Sequence, residues 1–253
     1  MLSRLNYYWR VVATGVSFAS FGLGGLFLSL FVFPILALIY RNPKRRQVIS
    51  RKWVKKSFAL FLWWMRFLGV IDYSFEGLEK LKEDRGCIVM GNHPSLIDVV
   101  VLIALCENPN GIVKKELFSN FFMKGVLTSA GFVPGAGGVD ALKLCKTPVE
   151  HGDNFIIFPE GTRTVPGQPL RLRNGASQLA LRLNSPIRLV HIKVRPTTLT
   201  KGEKWYHVPH KKVLFSLRVG DRVEVSKFQK EDLPQSIQAR RLTQFLTQSL
   251  SMT

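Results

Sequence analysis

A histidine and a carboxylate stand five residues apart in Gly91-Asn92-His93-Pro94-Ser95-Leu96-Ile97-Asp98, a pair that could act as a general base with its orienting acid. Imidazole is the side chain most readily tuned to accept a proton near neutral pH. A carboxylate bonded to its second ring nitrogen fixes the tautomer and raises the basicity. Five residues turn an ideal helix by about 500°, so the two side chains would lie roughly 140° apart if both sat inside one helix. Pro94 offers a way out, because proline suits the first helical position; His93 would then stand just before the helix, its ring free to fold back toward Asp98. The apolar run from Cys87 to Met90 reads as a buried strand, which puts the pair at a strand-to-helix turn on a sheet edge. The same residues also read as a helix cap followed by a first-turn carboxylate. Taken alone, the pair does not choose between the two.

A second chemical centre follows the strand-like Asn154 to Phe158, in Pro159-Glu160-Gly161-Thr162-Arg163-Thr164. Proline and glycine permit a tight turn there, and parallel strands would bring Glu160 and Arg163 to the same edge as the first pair. Arginine presents a planar fork of donors suited to phosphate. Between Gly161 and Gly202 there is no Asp or Glu, whereas Arg163, Arg171, Arg173, Arg182, Arg188, Lys193, Arg195 and Lys201 all occur, so an anionic group could be held without local repulsion. Lys114 and Lys115 end another short strand, Gly111 to Val113. The glycine-dense Gly131 to Gly138 lacks the residues of a phosphate-binding loop and is expected to be a flexible turn.

The elements that must position these residues alternate between strand and helix, which predicts an α/β fold with a mixed, largely parallel sheet flanked by helices. Helices are expected over Leu117 to Gly131, Val139 to His151, Gly175 to Leu183 and Ser236 to Leu250. Strands are expected over Ile187 to Val194, Val213 to Val219 and Arg222 to Val225.

Ahead of them, Val11 to Tyr40 carries no charge and exceeds the roughly 20 residues that cross a bilayer. This predicts a hydrophobic, membrane-anchoring helical segment, with Gly22, Gly24, Gly25 and Pro34 leaving both a full crossing and a re-entrant hairpin open. The basic block Arg41, Lys44, Arg45, Arg46, Arg51, Lys52, Lys55 and Lys56 follows, expected against anionic headgroups and, by the positive-inside bias, on the cytoplasmic side. Phe58 to Ile71, with Trp63 and Trp64, reads as a helix lying at the interface or as a core helix. The division expected is a membrane-binding region over 1–71 and a catalytic domain over 72–253.

With 36 Lys and Arg against 17 Asp and Glu, the 253-residue chain has a formal charge of +19 and calls for anionic partners. Three widely spaced cysteines and five scattered histidines, with no CxxC or HExxH, predict neither a disulfide framework nor a metal site. No nucleic-acid motif accompanies the charge, so nucleic acid is not expected as a partner.

Asn92-His93-Pro94-Ser95-Leu96-Ile97-Asp98 has the NH-x4-D form, and Phe158-Pro159-Glu160-Gly161-Thr162-Arg163, about 65 residues on, has the FPEGTR form. In this order the two resemble the glycerolipid acyltransferase family that includes bacterial 1-acylglycerol-3-phosphate acyltransferases. Weaker matches are Lys114-Lys115-Glu116-Leu117 and Pro186-Ile187, and the resemblance spans roughly Gly86 to Val194. It implies a membrane-associated O-acyltransferase in which His93 deprotonates an acceptor hydroxyl and Asp98 orients it. Glu160, Gly161, Thr162 and Arg163, with Lys114 and Lys115, would bind substrate. The implied partners are membrane lipids, an acyl-CoA or acyl carrier protein thioester as co-substrate, and a lysophospholipid-like acceptor. No other cofactor is implied, and the catalytic domain would face the cytosol on the inner membrane.

The chain departs from the family's pattern at Gly131-Phe132-Val133-Pro134-Gly135, where an arginine that helps hold the acceptor phosphate is missing, and at Leu189, where a proline is usual. Lys201 to Pro209 resembles family members linked to aryl polyene-like lipids, which makes a non-glycerophosphate acceptor the alternative. A thioester hydrolase on the same fold, and a noncatalytic module binding anionic membranes or nucleic acid, are the further alternatives.

Overall fold

The computed structural model describes residues 2–135 and 139–251. Residues 136–138 of the expected glycine-rich turn lie outside the described residues. The chain opens with helix α1 (Leu2–Phe27), which continues through a π-turn (Leu28–Val32) into α2 (Phe33–Ile39). The three glycines do not break it. It departs from α geometry just before Pro34, which has no N–H to return to the preceding turn, and Phe33 N–H closes the wider turn on Leu28 O. By length and composition the stretch Arg4–Ile39 is apolar enough to cross a membrane, and little of it is buried.

Asn42 then caps α3 (Pro43–Phe67), its side chain accepting from Lys44 N–H at 3.0 Å and Arg45 N–H at 3.2 Å, with Pro43 at the first position. Helix α3 returns antiparallel to α1, and Trp9 Nε1 near the start of one donates to Leu68 O past the end of the other at 2.9 Å. The stretch from Phe58 is the second half of α3 rather than a helix of its own. Phe58, Leu62 and Met65 enter the core while Leu60, Trp63 and Phe67 stay exposed, so both expected roles fall on opposite faces of one helix. Ile71 already belongs to a strand. The basic block is split as well: Arg51 is buried and bonded to Asp153 at 2.7 Å and to Ala130 O, and Lys55 pairs with Glu107, so these two are not offered to lipid.

The remaining elements are β1 (Ile71–Glu76), α4 (Leu78–Glu83), β2 (Ile88–Gly91), α5 (Asp98–Leu105), β3 (Pro109–Val113), α6 (Lys124–Ala130), β4 (Val133–Pro134), α7 (Val139–Glu150), β5 (Asn154–Ile157), α8 (Asn174–Leu183), β6 (Ile187–Arg195), β7 (Val213–Val223) and α9 (Gln235–Ser251). Their order in the sheet is β1-β7-β6-β2-β5-β3-β4. Strands β6, β2, β5, β3 and β4 run parallel. β7 runs against β6, and β1 runs with β7. The carboxyl ends of β2, β5 and β6 therefore share an edge with the starts of β7 and β1.

Two expectations are corrected here. The separate strands over Val213 to Val219 and Arg222 to Val225 are one strand, β7, ending at Val223. Gly220 does not interrupt it because the buried Arg188 donates to Gly220 O at 3.2 Å while holding Asp84 at 2.7 and 2.8 Å. That ion pair also removes Arg188 from the cations available to a ligand. The single helix expected over Leu117 to Gly131 is a 3₁₀ turn (Lys115–Ser119) followed by α6. Asn120 separates them, its side chain accepting from Phe122 and Met123 N–H. The end of the helix at Gly131 is as expected, and Gly131 closes α6 in the left-handed conformation.

One sheet face packs beneath α3 and α5 with residues of α1, around Val54, Leu102 and Phe215. The other packs beneath α8 and α9, around Phe155, Leu242 and Leu246. The π-turn after α1 and helix α6 approach closely where Ser29 meets Gly125: a Cβ at Gly125 would lie within 2.5 Å of the Ser29 side chain.

Candidate active site

Strand β2 delivers His93 to the sheet edge. Asn92, next after the strand, keeps pairing with β6 through its side chain, accepting from Ile192 N–H at 2.8 Å and donating to Ile192 O at 2.7 Å. The backbone is thereby free to leave the ladder at His93. Helix α5 begins at Asp98, not at Pro94 as expected. Residues 94–97 form a loop because their polar groups find partners outside a helix: Ser95 Oγ donates to Thr198 O at 3.0 Å and Leu96 N–H to Leu199 O at 3.1 Å. Asp98 Oδ2 accepts from Ser95 N–H at 2.8 Å.

The expected meeting of the pair holds in this different loop. His93 Nδ1 lies 2.8 Å from Asp98 Oδ2, and the imidazole stacks on Phe158 with centroids 4.1 Å apart and planes 21° apart. An ionised carboxylate can only accept, so the proton sits on Nδ1 and Nε2 presents a lone pair. The His93 ring is 14% exposed whereas Asp98 is fully enclosed. Burial pushes the Asp98 carboxyl up to about 6 against the pull of the His93 contact and the Ser95 N–H. Its Oδ1 is buried with no hydrogen-bond partner among the described residues.

The second motif arrives on β5, parallel to β2, so its turn lands beside the pair. Gly161 N–H closes the turn onto Phe158 O at 3.0 Å. Glu160 is 8% exposed, and its Oε1 accepts from His93 N–H at 2.9 Å and from Thr164 Oγ at 2.7 Å. Thr164 N–H in turn donates to His93 O at 2.7 Å. Glu160 thus grips the backbone of the histidine. Thr164 closes the expected second centre, but its role is not legible there, because nothing in the type or spacing of a threonine after the motif announces a contact 71 residues away. Arg163 is half-buried and gives Nη1 to Leu199 O at 2.8 Å and Thr200 O at 2.9 Å, which ties the turn to the segment after β6. Thr162 lies half-buried in the same turn, and Lys114 and Lys115 are exposed at the end of β3, beyond β5 on the same edge.

Gly161 has φ +70°, and a Cβ there would lie 3.1 Å from Arg173 Nε. The left-handed conformation costs an ordinary L-residue roughly 1–2 kcal/mol. Gly161→Ala is therefore expected to lower the melting temperature by about 2–8 °C, and to reduce turnover by shifting Glu160, as read by thermal melts beside initial rates.

Residues 72–194 match the family model described as Acyltransferase. Among curated relatives, the 1-acyl-sn-glycerol-3-phosphate acyltransferase of Pseudomonas aeruginosa is 29% identical over 186 residues, covering 70% of this chain and 65% of the relative. That of Helicobacter pylori is 32% identical over 139 residues, covering 51% and 56%. The chloroplastic enzyme of Brassica napus is 30% identical over 132 residues, covering 48% and 38%. Each alignment spans less than two thirds of the relative's length. The crystal structure of the 1-acyl-sn-glycerophosphate acyltransferase of Thermotoga maritima superposes with a TM-score of 0.72 at 20% identity, covering 96% of this chain and 95% of that one, a likeness of fold.

Proposed function

We propose that the chain is a glycerolipid acyltransferase, a reading supported by the match of residues 72–194 to the Acyltransferase family model, and that it transfers an acyl chain from an acyl thioester to the hydroxyl of a lysophospholipid-like acceptor such as 1-acylglycerol-3-phosphate. The observation that carries this reading is the 2.8 Å contact of His93 Nδ1 with the buried Asp98, which leaves Nε2 as the basic atom at the sheet edge.

In the reaction proposed, Nε2 takes the acceptor's hydroxyl proton as its oxygen attacks the thioester carbonyl. The carbon–sulfur bond then breaks, and the imidazolium returns the proton to the departing thiolate, giving ester and thiol. Asp98 stabilises the imidazolium, and Glu160, Thr164 and Phe158 hold the ring in place. Arg163, Lys114 and Lys115 supply positive charge for an anionic head. The donor is acyl-CoA or acyl carrier protein, whose phosphates or acidic surface suit a chain of charge +19. Exposed apolar side chains along α1 and α3, such as Leu23, Phe27, Leu30, Leu60 and Trp63, support a seat in the membrane. The basic residues after α2 support a cytoplasmic catalytic face.

The test is thiol release from acyl-CoA or acyl carrier protein with 1-acylglycerol-3-phosphate, with monoacylglycerol and with no acceptor, the products identified by mass spectrometry. Acyl transfer to the phosphorylated acceptor is expected to exceed the other two rates by at least about tenfold. Equal thiol release without acceptor would identify a hydrolase.

A further inference from the structure

A cavity of about 530 Å³ lies between the start of α1, the end of α3 and the residue preceding β7, with Trp9, Arg10, Phe67 and Lys212 among its walls. The starts of β1 and β7 share the edge where β6 ends: Ile71 is level with Val213, and Leu214 with Arg195. At a strand spacing of about 4.8 Å, the cavity stands roughly 10–15 Å along that edge from β2 and His93.

Arg10 is 8% exposed and shares the walls with the polar Asn6 and Lys212 as well as the apolar Trp9 and Phe67. A guanidinium has five N–H donors. Here one nitrogen donates to His210 O, and Nε is buried with no partner among the described residues. The His210 ring stacks on Tyr7 with centroids 4.7 Å apart, a second contact between this segment and α1. No carboxylate among the described residues pairs with Arg10. Lys212 adds a second cation, sharing Asp72 with Arg66 at 3.2 and 2.9 Å, so one carboxylate serves two bases and the surroundings stay net positive. Trp9 and Phe67 are both more than half exposed, and the outward side of α1 continues apolar through Leu5, Tyr8 and Val12.

We propose that this cavity binds the phosphate of a membrane lipid, separately from the catalytic pair, with Arg10 and Lys212 on the phosphate and Trp9 and Phe67 along the glycerol and first methylenes. A ligand here must carry phosphate and hydrocarbon side by side. A phospholipid does, whereas in acyl-CoA the pantetheine arm holds them far apart. The site does not depend on the acyl-transfer reading, and binding rather than turnover reports on it.

The experiment uses the full chain in nonionic detergent with soluble dihexanoyl phosphatidylglycerol, compared with dihexanoylglycerol, which lacks the phosphate. Binding is followed by tryptophan fluorescence, and Trp9→Phe is expected to remove most of the signal. The wild type is expected to bind the phospholipid at least about fivefold more tightly, and Lys212→Ala to lose about fivefold. Arg10→Gln should lose at least as much, and the half-exposed Lys212 decides the matter if the Arg10 variant does not fold. Lys227→Ala, exposed past the far end of β7, should bind as the wild type does. Equal affinity for the two ligands, or equal losses in the Lys212 and Lys227 variants, would overturn the proposal. So would displacement of the phospholipid by equimolar coenzyme A, which would assign the cavity to the donor.

Discussion

Replacing His93 with alanine is expected to lower kcat by roughly 10² to 10⁴, the range that a positioned general base contributes, while the melting temperature changes little. The imidazole stacks on Phe158 and touches Asp98, but the loop around it is held by main-chain bonds that alanine keeps: His93 N–H to Glu160 and His93 O from Thr164 N–H. KM for the acceptor should move less than kcat, because the base acts in the transition state rather than in binding. Steady-state kinetics on the purified variant, beside its thermal melt, would separate the two effects. A variant that folds and turns over at the wild-type rate would remove His93 from the chemistry.

Asp98→Asn should cost a comparable factor in turnover without costing stability at alkaline pH. The asparagine can still accept from Ser95 N–H, but it brings no charge to meet an imidazolium. The sign of the stability effect follows from the direction of the shift. Burial raises the Asp98 carboxyl to about 6 in the folded chain, above its ordinary value near 4. Between those values the folded chain holds more proton than the unfolded one, so stability falls as pH rises through the window, and a constant penalty remains above it. The uncharged asparagine lacks that penalty, so at pH 8 its melting temperature should be no lower than the wild type's, the advantage shrinking toward pH 4. Wild-type activity should fall as pH drops through about 6, where Asp98 takes up a proton and loses the charge that meets the imidazolium. Melts and rates across pH 4 to 9 would show both behaviours; a variant clearly less stable than wild type at pH 8 would mean that the ionised carboxylate stabilises the loop.

Much of this architecture is legible locally. The buried strands Ile88–Gly91 and Asn154–Ile157 announce themselves as short apolar runs bounded by glycine, asparagine and proline, and once they are parallel the meeting of the two motifs follows. Pro94 misled the placement of α5, because a proline's fitness for a first turn is a local preference. Ser95 and Leu96 instead bond to residues about a hundred positions downstream. Arg51 and Arg188 read as ordinary members of basic runs, yet each is buried on a carboxylate distant in sequence, Asp153 and Asp84. Composition counts charges but does not locate their partners. The contacts of Thr164 are hidden for the same reason. The amphipathic split of α3 was visible as an ambiguity, since one stretch carried both core-like and interface-like residues, and the helix satisfies both descriptions on its two faces.

The reversed direction of β7 has a consequence for where the chain meets its surroundings. Helix α3 feeds into β1 at Ile71, and β1 follows the direction of β7. Had that pair run with the other five strands, the same six residues of β1 would have delivered the helical hairpin to the opposite rim, about 20 Å from His93. One strand's polarity, far from any reacting atom, thus sets the address of the apolar helices relative to the base. A circular permutation or strand graft that preserved every catalytic contact but inverted β7 would leave the chemistry intact and the hairpin facing the wrong way.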